Sequence, residues 1–382
     1  MKIGILTFHR SINYGAFMQS YALSTTLQKR YPQHTVEVID FEYLKKHNNY
    51  KKHIKRFPFG FEYYIKYNRF QSDLKHLSLS PTSFITDEEE SVRTYIEKNY
   101  DIVIVGSDAV WAYQKKMPVT APYFLFGDKL KNVVKMSFAA SAFTTVFENA
   151  TQEEKDILKE SLSDFSYIGV RDKATKNFVE KLQTGKHVNI NHDPTIFLAP
   201  AAPSEKYLDS ILHKNLIWGQ KSTISFMTRQ LACMEELRRK YSNGYRLLHF
   251  YQRDNQFRDI KDLRCRLVNN LSPLEWYNLY STCTLNITHF FHGACLGLIN
   301  MVPTIAIDDS TVPYMSKYAQ LMTDLGLTEN LFYQRSFDSD KFFNRMEYLL
   351  NNKVEEQERI KRALEKERLK SQSFFDFLDD IL

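Results

Sequence analysis

The chain is poor in the residues that brace or break a small fold. Four cysteines occur in 382 residues, Cys233, Cys265, Cys283 and Cys295, and no two form a C-x-x-C pair. A disulfide framework and the common zinc spacings are therefore excluded, and the thiols read as small apolar side chains in a reduced compartment. Glycine and proline are scarce, at 12 and 11 residues, which argues against a disordered chain. The glycine fingerprint of dinucleotide-binding loops is missing, since Gly15 stands alone in the first turn. No window approaches the roughly 18 uninterrupted apolar residues of a spanning helix. The opening MKIGILTFHRSINYG lacks the apolar core of a signal peptide. The expected location is the cytoplasm, with peripheral attachment at the cytoplasmic membrane as an extension of it. No His, Cys, Asp or Glu set has metal-ligand spacing, so no metal site is expected. The net charge of +6 is too small to argue for nucleic acid, and it suits anionic small molecules or a membrane face.

What is present is a repeated placement of polar residues after short apolar runs. Lys2 to Thr7 runs into His9, Asn13 and Gly15, and Ile102 to Val105 into Gly106, Ser107 and Asp108. Ile168 to Val170 meets Arg171 directly, and Leu285 to Thr288 runs into His292 and Gly293. Parallel α/β sheets bind ligands outside the carboxyl ends of their strands. Four such clusters spread over the chain predict a cleft built by two sheets.

The order of elements supports this. A strand at Lys2–Thr7, a helix from about Tyr14 to Arg30 and a strand at Val36–Phe41 form a βαβ opening. Residues 45–76 interrupt it with nine basic and seven aromatic side chains against Glu62 and Asp73. This stretch reads either as a solvated helical face over core aromatics or as a contact with an anionic membrane or lipid-linked substrate. Strands at Ile102–Val105, Val133–Phe138 and Ile168–Val170 follow, with helices over Gln152–Asp164 and Lys173–Leu182. Pro200 and Pro203 mark a boundary. The second half repeats the style with strands at Thr223–Met227, Arg246–Phe250, Thr284–Ile287 and Thr304–Ile307 and helices over Gln230–Tyr241, Leu274–Tyr280 and Gly293–Met301. The prediction is α/β: a Rossmann-like domain over 1–200, a second over 201–339, and a helical tail over 340–382 that packs back on the body. By analogy this is a glycosyltransferase-B-like (GT-B-like) architecture with a cleft between the domains, which does not by itself fix the chemistry.

The stretches GILTFHRSINYGAFMQSYAL, VEVIDF, VGSDAVW, FAAS, IGVRDKATKNFVEKL, DPTIFL and THFFHGACLGLINMVPTIAI occur here in one order. In that order the chain resembles the polysaccharide pyruvyl transferases, from Lys2 to about Gly326. The resemblance implies transfer of a pyruvyl group from phosphoenolpyruvate to a sugar of a cell-surface glycan or its lipid-linked precursor, as a ketal, with no cofactor beyond the donor. Exopolysaccharide or capsule assembly is the implied setting. One departure stands out: relatives commonly carry Asp where His289 stands, and Arg or Ser where Phe290 stands. An arginine that holds the donor there must be replaced, and Arg229 and Arg253 are the candidates. The competing readings are a nucleotide-sugar glycosyltransferase on the same architecture, or a degenerate member that binds glycan without catalysis.

The candidate residues follow from both lines. His292 precedes Gly293 at a strand-to-helix turn, where an imidazole suits protonation of the donor's methylene carbon; the alternative is a capping or core histidine. Asp108 is placed as base for an acceptor hydroxyl, and Ser107 as a substrate contact or an N-cap, both at a sheet edge. Arg171 offers a planar fork to carboxylate or phosphate, or pairs with Asp172. Asn13, Tyr14 and Gly15 open the first helix, where backbone N–H groups favour an anion, or else Asn13 is only a cap. Gln19, one turn on, shares their side. Trp111 reads as core rather than as a sugar platform, and Asp193-Pro194 as a turn. His9 is left undecided.

Overall fold

The computed structural model describes residues 1–55, 60–113, 118–127, 130–142, 145–218, 222–228, 231–250, 265–268, 270–309 and 316–382. The chain divides into two compact units, Met1–Leu198 with Arg368–Leu382, and Ala199–Glu367.

In the first unit the strands β1 (Lys2–Leu6), β2 (Thr35–Val38), β5 (Ile102–Val105), β6 (Val134–Ala140), β7 (Tyr167–Val170) and β8 (Val188–Ile190) form one sheet in the order β2-β1-β5-β6-β7-β8. Every pairing is parallel. The run Ile102-Val103-Ile104-Val105 shows why. It is buried throughout, as expected of a strand covered on both faces. Val103 and Val105 enter one apolar core with Val92, Ile96 and Trp111. Ile102 and Ile104 enter another with Leu23, Leu27 and Phe138.

The expected strand at Val36–Phe41 is split. It ends at Val38, and Phe41–Glu42 (β3) pairs instead with Phe84–Ile85 (β4) in a separate two-stranded piece. Residues 45–76 contribute two helices, Leu44–Ile54 and Gly60–Asp73.

The tail expected as one piece over 340–382 is divided between the units. Helix Ser339–Asn351 buries Phe342, Met346 and Leu349 in the core of the second unit. The last helix, Gln372–Ile381, buries Phe374, Phe375 and Leu378 in the first. Phe374 meets Phe138 edge-on at 4.6 Å, and Asp379 accepts from Arg30 at 2.7 Å and from the Tyr31 hydroxyl at 2.6 Å. Full burial of each such apolar side chain contributes about 1.5–3 kcal/mol, which explains why a charged helix must end in an apolar segment.

The second unit holds β9 (Thr223–Met227), β10 (Arg246–Phe250), β11 (Cys265–Val268), β12 (Cys283–Thr288), β13 (Thr304–Asp308) and β14 (Leu331–Tyr333). Their order is β11-β10-β9-β12-β13-β14, all parallel. Counted along the chain, this is the 3-2-1-4-5-6 order of dinucleotide-binding folds, whereas the first sheet runs 2-1-3-4-5-6. Each order reverses direction beside its own first strand. The crevices that ligands use are therefore outside the carboxyl ends of β1 and β5 in one unit and of β9 and β12 in the other.

Candidate functional site

The first switch point gathers most of the residues read from the sequence. β5 is an interior strand, so Ser107 and Asp108 do not lie at a sheet edge. Gly106, just after it, has φ +117°, and a Cβ there would lie 2.3 Å from the Phe138 carbonyl oxygen. Only glycine fits. Asp108 follows with φ +77°, a region an aspartate tolerates better than most residues. Its carbonyl accepts from Ser141 N at 2.9 Å, which ties it to the end of β6.

Around that turn is a closed ring of polar contacts. Thr7 Oγ1 donates to the Ser107 carbonyl at 3.0 Å. The Gln19 amide donates to Thr7 Oγ1 at 2.9 Å and to the Ala16 carbonyl at 2.7 Å, while its oxygen accepts from Ser107 N at 3.0 Å. Gln19 is wholly buried, so it braces the turn from within instead of lining open space. Asn13 caps the first helix, its Oδ1 accepting from Gly15 N at 2.9 Å and Ala16 N at 3.4 Å. Two of the backbone donors considered for an anion are thus already engaged. Tyr14 is buried against Phe70, ring centroids 4.9 Å apart, with Lys66 Nζ 5.0 Å over its ring.

Arg171 and Asp108 do come together. Arg171 Nη1 is 4.0 Å from Asp108 Oδ1 and donates to Asp193 Oδ2 at 3.3 Å. Burial works against the Arg171 charge, yet Asp193, Asp108 and Asp172 hold its pKa above the ordinary guanidinium value. Asp172 is not the surface partner that sequence adjacency suggests. It caps helix Lys173–Lys181 by accepting from Thr175 N at 2.8 Å and takes the Ser141 hydroxyl at 2.8 Å. Ser107 Oγ donates to Asp193 Oδ2 at 3.4 Å. Trp111 is fully buried, its indole N–H given to the Tyr123 carbonyl at 3.0 Å.

His9 also finds its place. Its ring nitrogens lie 2.8 Å from Asp40 Oδ1 and 3.2 Å from the Thr7 carbonyl, and Arg10 grips the same carboxylate through Nε and Nη2. Burial pushes the Asp40 carboxyl up, but the hydrogen bonds from Arg10 and His9 outweigh it and hold it well below the usual range. The loop before the first helix is clamped from above as well. Lys46 donates to Ser11 Oγ and lies 4.9 Å over the Phe8 ring.

In the second unit His292 is not in the turn. It is the second residue of helix Phe291–Ile299 and is buried. Phe290 is the residue before the helix; its N–H donates to Thr288 Oγ1 at 2.9 Å and its ring lies 5.9 Å from those of His292 and Trp276. Gly293 has a packing reason, since a Cβ there would lie 2.7 Å from Thr288 Oγ1. His289 Nδ1 donates to the Met227 carbonyl at 2.7 Å, linking the ends of β12 and β9. Arg229 and Arg253 lie outside the described residues. The buried Cys283 thiol is pushed up by burial to about 11, as suits an inert core side chain.

The sequence reading missed Thr7, Asp40 and Asp193 as members of the first cluster and His249 in the second unit. Asp40 and Asp193 each stand within three residues of a strand end, the same signal that drew attention to Arg171. His249 is inside β10, stacked on Phe226 with ring centroids 4.9 Å apart.

Two doubly wound units define the class, the α/β architecture of GT-B glycosyltransferases and related epimerases. A UDP-N-acetylglucosamine 2-epimerase matches with TM-score 0.57 and 12% identity over 98% of this chain and 94% of its own. A glycosyltransferase from Rickettsia africae matches with TM-score 0.55 and 11% identity over 97% and 98%. The UDP-GlcNAc 2-epimerase of Neisseria meningitidis, solved with UDP-GlcNAc, matches with TM-score 0.54 and 12% identity over 94% of each chain. At such identities the likeness is one of fold alone. No curated protein matches the sequence. The family model for polysaccharide pyruvyl transferase matches residues 13–311, and the chain belongs to that family.

Proposed function

We propose that the protein transfers the pyruvyl group of phosphoenolpyruvate to two hydroxyls of a glycan sugar, forming a pyruvate ketal and releasing phosphate. The observation that carries this reading is that the family match, 13–311, spans both polar constellations, from Asn13 to Gly293. Two C–O bonds form at the donor's central carbon as its bond to the phosphate oxygen breaks. One hydroxyl proton ends on the methylene carbon, which becomes a methyl group, and the other leaves with phosphate. In this reading Asp108 takes a hydroxyl proton, Arg171 and Ser107 hold the anionic donor, and His292 supplies the proton to carbon.

The acceptor in this reading is lipid-linked and the protein sits at the inner membrane face. No described helix is long and apolar enough to cross a membrane. Support comes from helix Leu44–Ile54, which has no acidic residue and exposes Lys45, Lys51 and Lys52, with Lys55 just beyond. Phe61 and Tyr64 are 66% and 49% exposed beside it, a basic and aromatic mix suited to an anionic interface.

The alternative is a nucleotide-sugar glycosyltransferase, favoured by the strand order of the second sheet. Thermal shifts with phosphoenolpyruvate, UDP and GDP separate the two, because a ligand of the native state raises apparent stability. Stabilisation by phosphoenolpyruvate, followed by the mass gain of a ketal on a glycan acceptor, supports pyruvyl transfer. A shift with UDP or GDP alone overturns it, and no shift with any of them favours a binding-only protein.

A further inference from the structure

The two carboxylate oxygens of Asp193 face different neighbours. Oδ1 accepts from Thr195 N at 3.1 Å and Thr195 Oγ1 at 2.9 Å, which shapes the turn after β8. Oδ2 points the other way and accepts from Arg171 Nη1 and Ser107 Oγ, at 3.3 and 3.4 Å. A turn of this kind needs one acceptor, and asparagine supplies it as well as aspartate. The second oxygen and the negative charge are therefore surplus to the turn, although burying a charge is costly unless it is paired. The pairing sets up an imbalance. One guanidinium nitrogen has two carboxylates near it. Asp193 is the nearer and 2% exposed, while Asp108, at 4.0 Å, is 18% exposed.

We infer that Asp193 is a positioning residue for pyruvyl transfer: it holds Arg171 and the Ser107 hydroxyl, and so keeps the guanidinium from closing on Asp108, whose carboxylate is left to take a proton from the acceptor. The inference rests on the reading of this unit given above. Removing the Asp193 charge leaves Asp108 and Asp172 as the carboxylates that offset the buried Arg171. Asp172 is committed to Thr175 and Ser141, so the guanidinium moves to Asp108. The buried Tyr123 phenol, which also feels Asp108, offers no charge to oppose the move.

Asp193→Asn tests this, because asparagine keeps the carbonyl oxygen for Thr195 and deletes the charge. The expected result is a fall in kcat of about 10²-fold, the scale of a general base put out of use, with the KM for phosphoenolpyruvate nearly unchanged. The acid limb of the pH profile should move to lower pH, since a base paired to arginine holds its charge more tightly. Thr195→Val, which loosens only the turn, should keep the wild-type profile. A crystal structure of Asp193→Asn should show Arg171 within hydrogen-bond distance of Asp108. Wild-type kcat and pH profile in Asp193→Asn, or an Arg171–Asp108 separation still near 4.0 Å, would overturn the inference. If Asp193→Asn does not fold, Asp193→Glu takes its place. Retention of the wild-type pH profile by this variant supports a role for the charge, and a profile displaced to lower pH overturns it. If the wild-type protein makes no ketal with any acceptor, the functional reading fails, and the Asp193→Asn structure still decides the role of Asp193.

Discussion

Acidification should weaken the second unit through one side chain, His249. Its ring lies inside β10, stacked nearly parallel on Phe226 at 2°, and is 3% exposed. Burial, with the positive charges of Arg238 and His289 nearby, lowers its pKa from 6.5 to about 4. In the unfolded chain this histidine takes its proton near pH 6.5, and in the native state only near pH 4. The neutral ring therefore contributes stability that is complete above pH 6.5 and is lost as the pH falls to 4. The difference, 6.5 − 4 = 2.5 units at 1.36 kcal/mol per unit, is about 3 kcal/mol. His249→Phe keeps a flat ring against Phe226 and has no proton to bind. Urea unfolding of both proteins at pH 7 and pH 4 gives four free energies. The wild type should lose about 3 kcal/mol more than the variant across that interval. Two-dimensional NMR of the imidazole should place its titration near pH 4. Parallel losses in the two proteins, or a His249 midpoint at 6.5, would refute the argument and mean that water reaches the ring.

Other outcomes bear on the proposed chemistry. His292→Gln should lower turnover by about two to four orders of magnitude, the scale of a lost general acid, in a protein whose circular dichroism is unchanged; near-normal turnover removes His292 from the mechanism. Arg171→Lys keeps the charge and loses the planar fork, so the KM for phosphoenolpyruvate should rise more than that for the acceptor, and separate titrations of the two substrates decide it. Charge reversal of Lys51, Lys52 and Lys55 should reduce binding to anionic vesicles at low salt by ~1 kcal/mol or more per residue and slow a lipid-linked acceptor more than a short soluble one. A wild-type protein that fails to bind such vesicles at low salt would rule out the membrane contact.

Much of the frame was legible before any coordinates. The helix Tyr14–Arg30 and the strands Ile102–Val105, Thr223–Met227 and Arg246–Phe250 have the bounds their patterns indicate, because a long amphipathic stripe or an unbroken apolar run leaves few alternatives. Short edge elements were not legible. β4 and β14 have two and three residues, too few to show a period. The split of Val36–Phe41 was hidden for another reason. Asp40 sits in that apolar stretch and is buried on Arg10 and His9, a contact about thirty residues away that no local pattern reveals.

The sequence by itself determined the family, the two-unit α/β class and the points where chemistry can sit, because polar residues after buried strands have few places to go but the sheet's carboxyl end. The tertiary structure decided what each of those residues does. Strand order, which no local pattern encodes, makes β5 the neighbour of β1 and so joins Ser107 to Thr7 and Gln19. It also sets Arg171 between Asp193 and Asp108 rather than against Asp172, its neighbour in the chain. A helix cap spends Asn13 on Gly15 and Ala16, and the first turn of a helix encloses His292. Sequence ranks residues by chemistry and spacing, but partners are chosen by distance and burial, and both come into being only when the sheets are assembled.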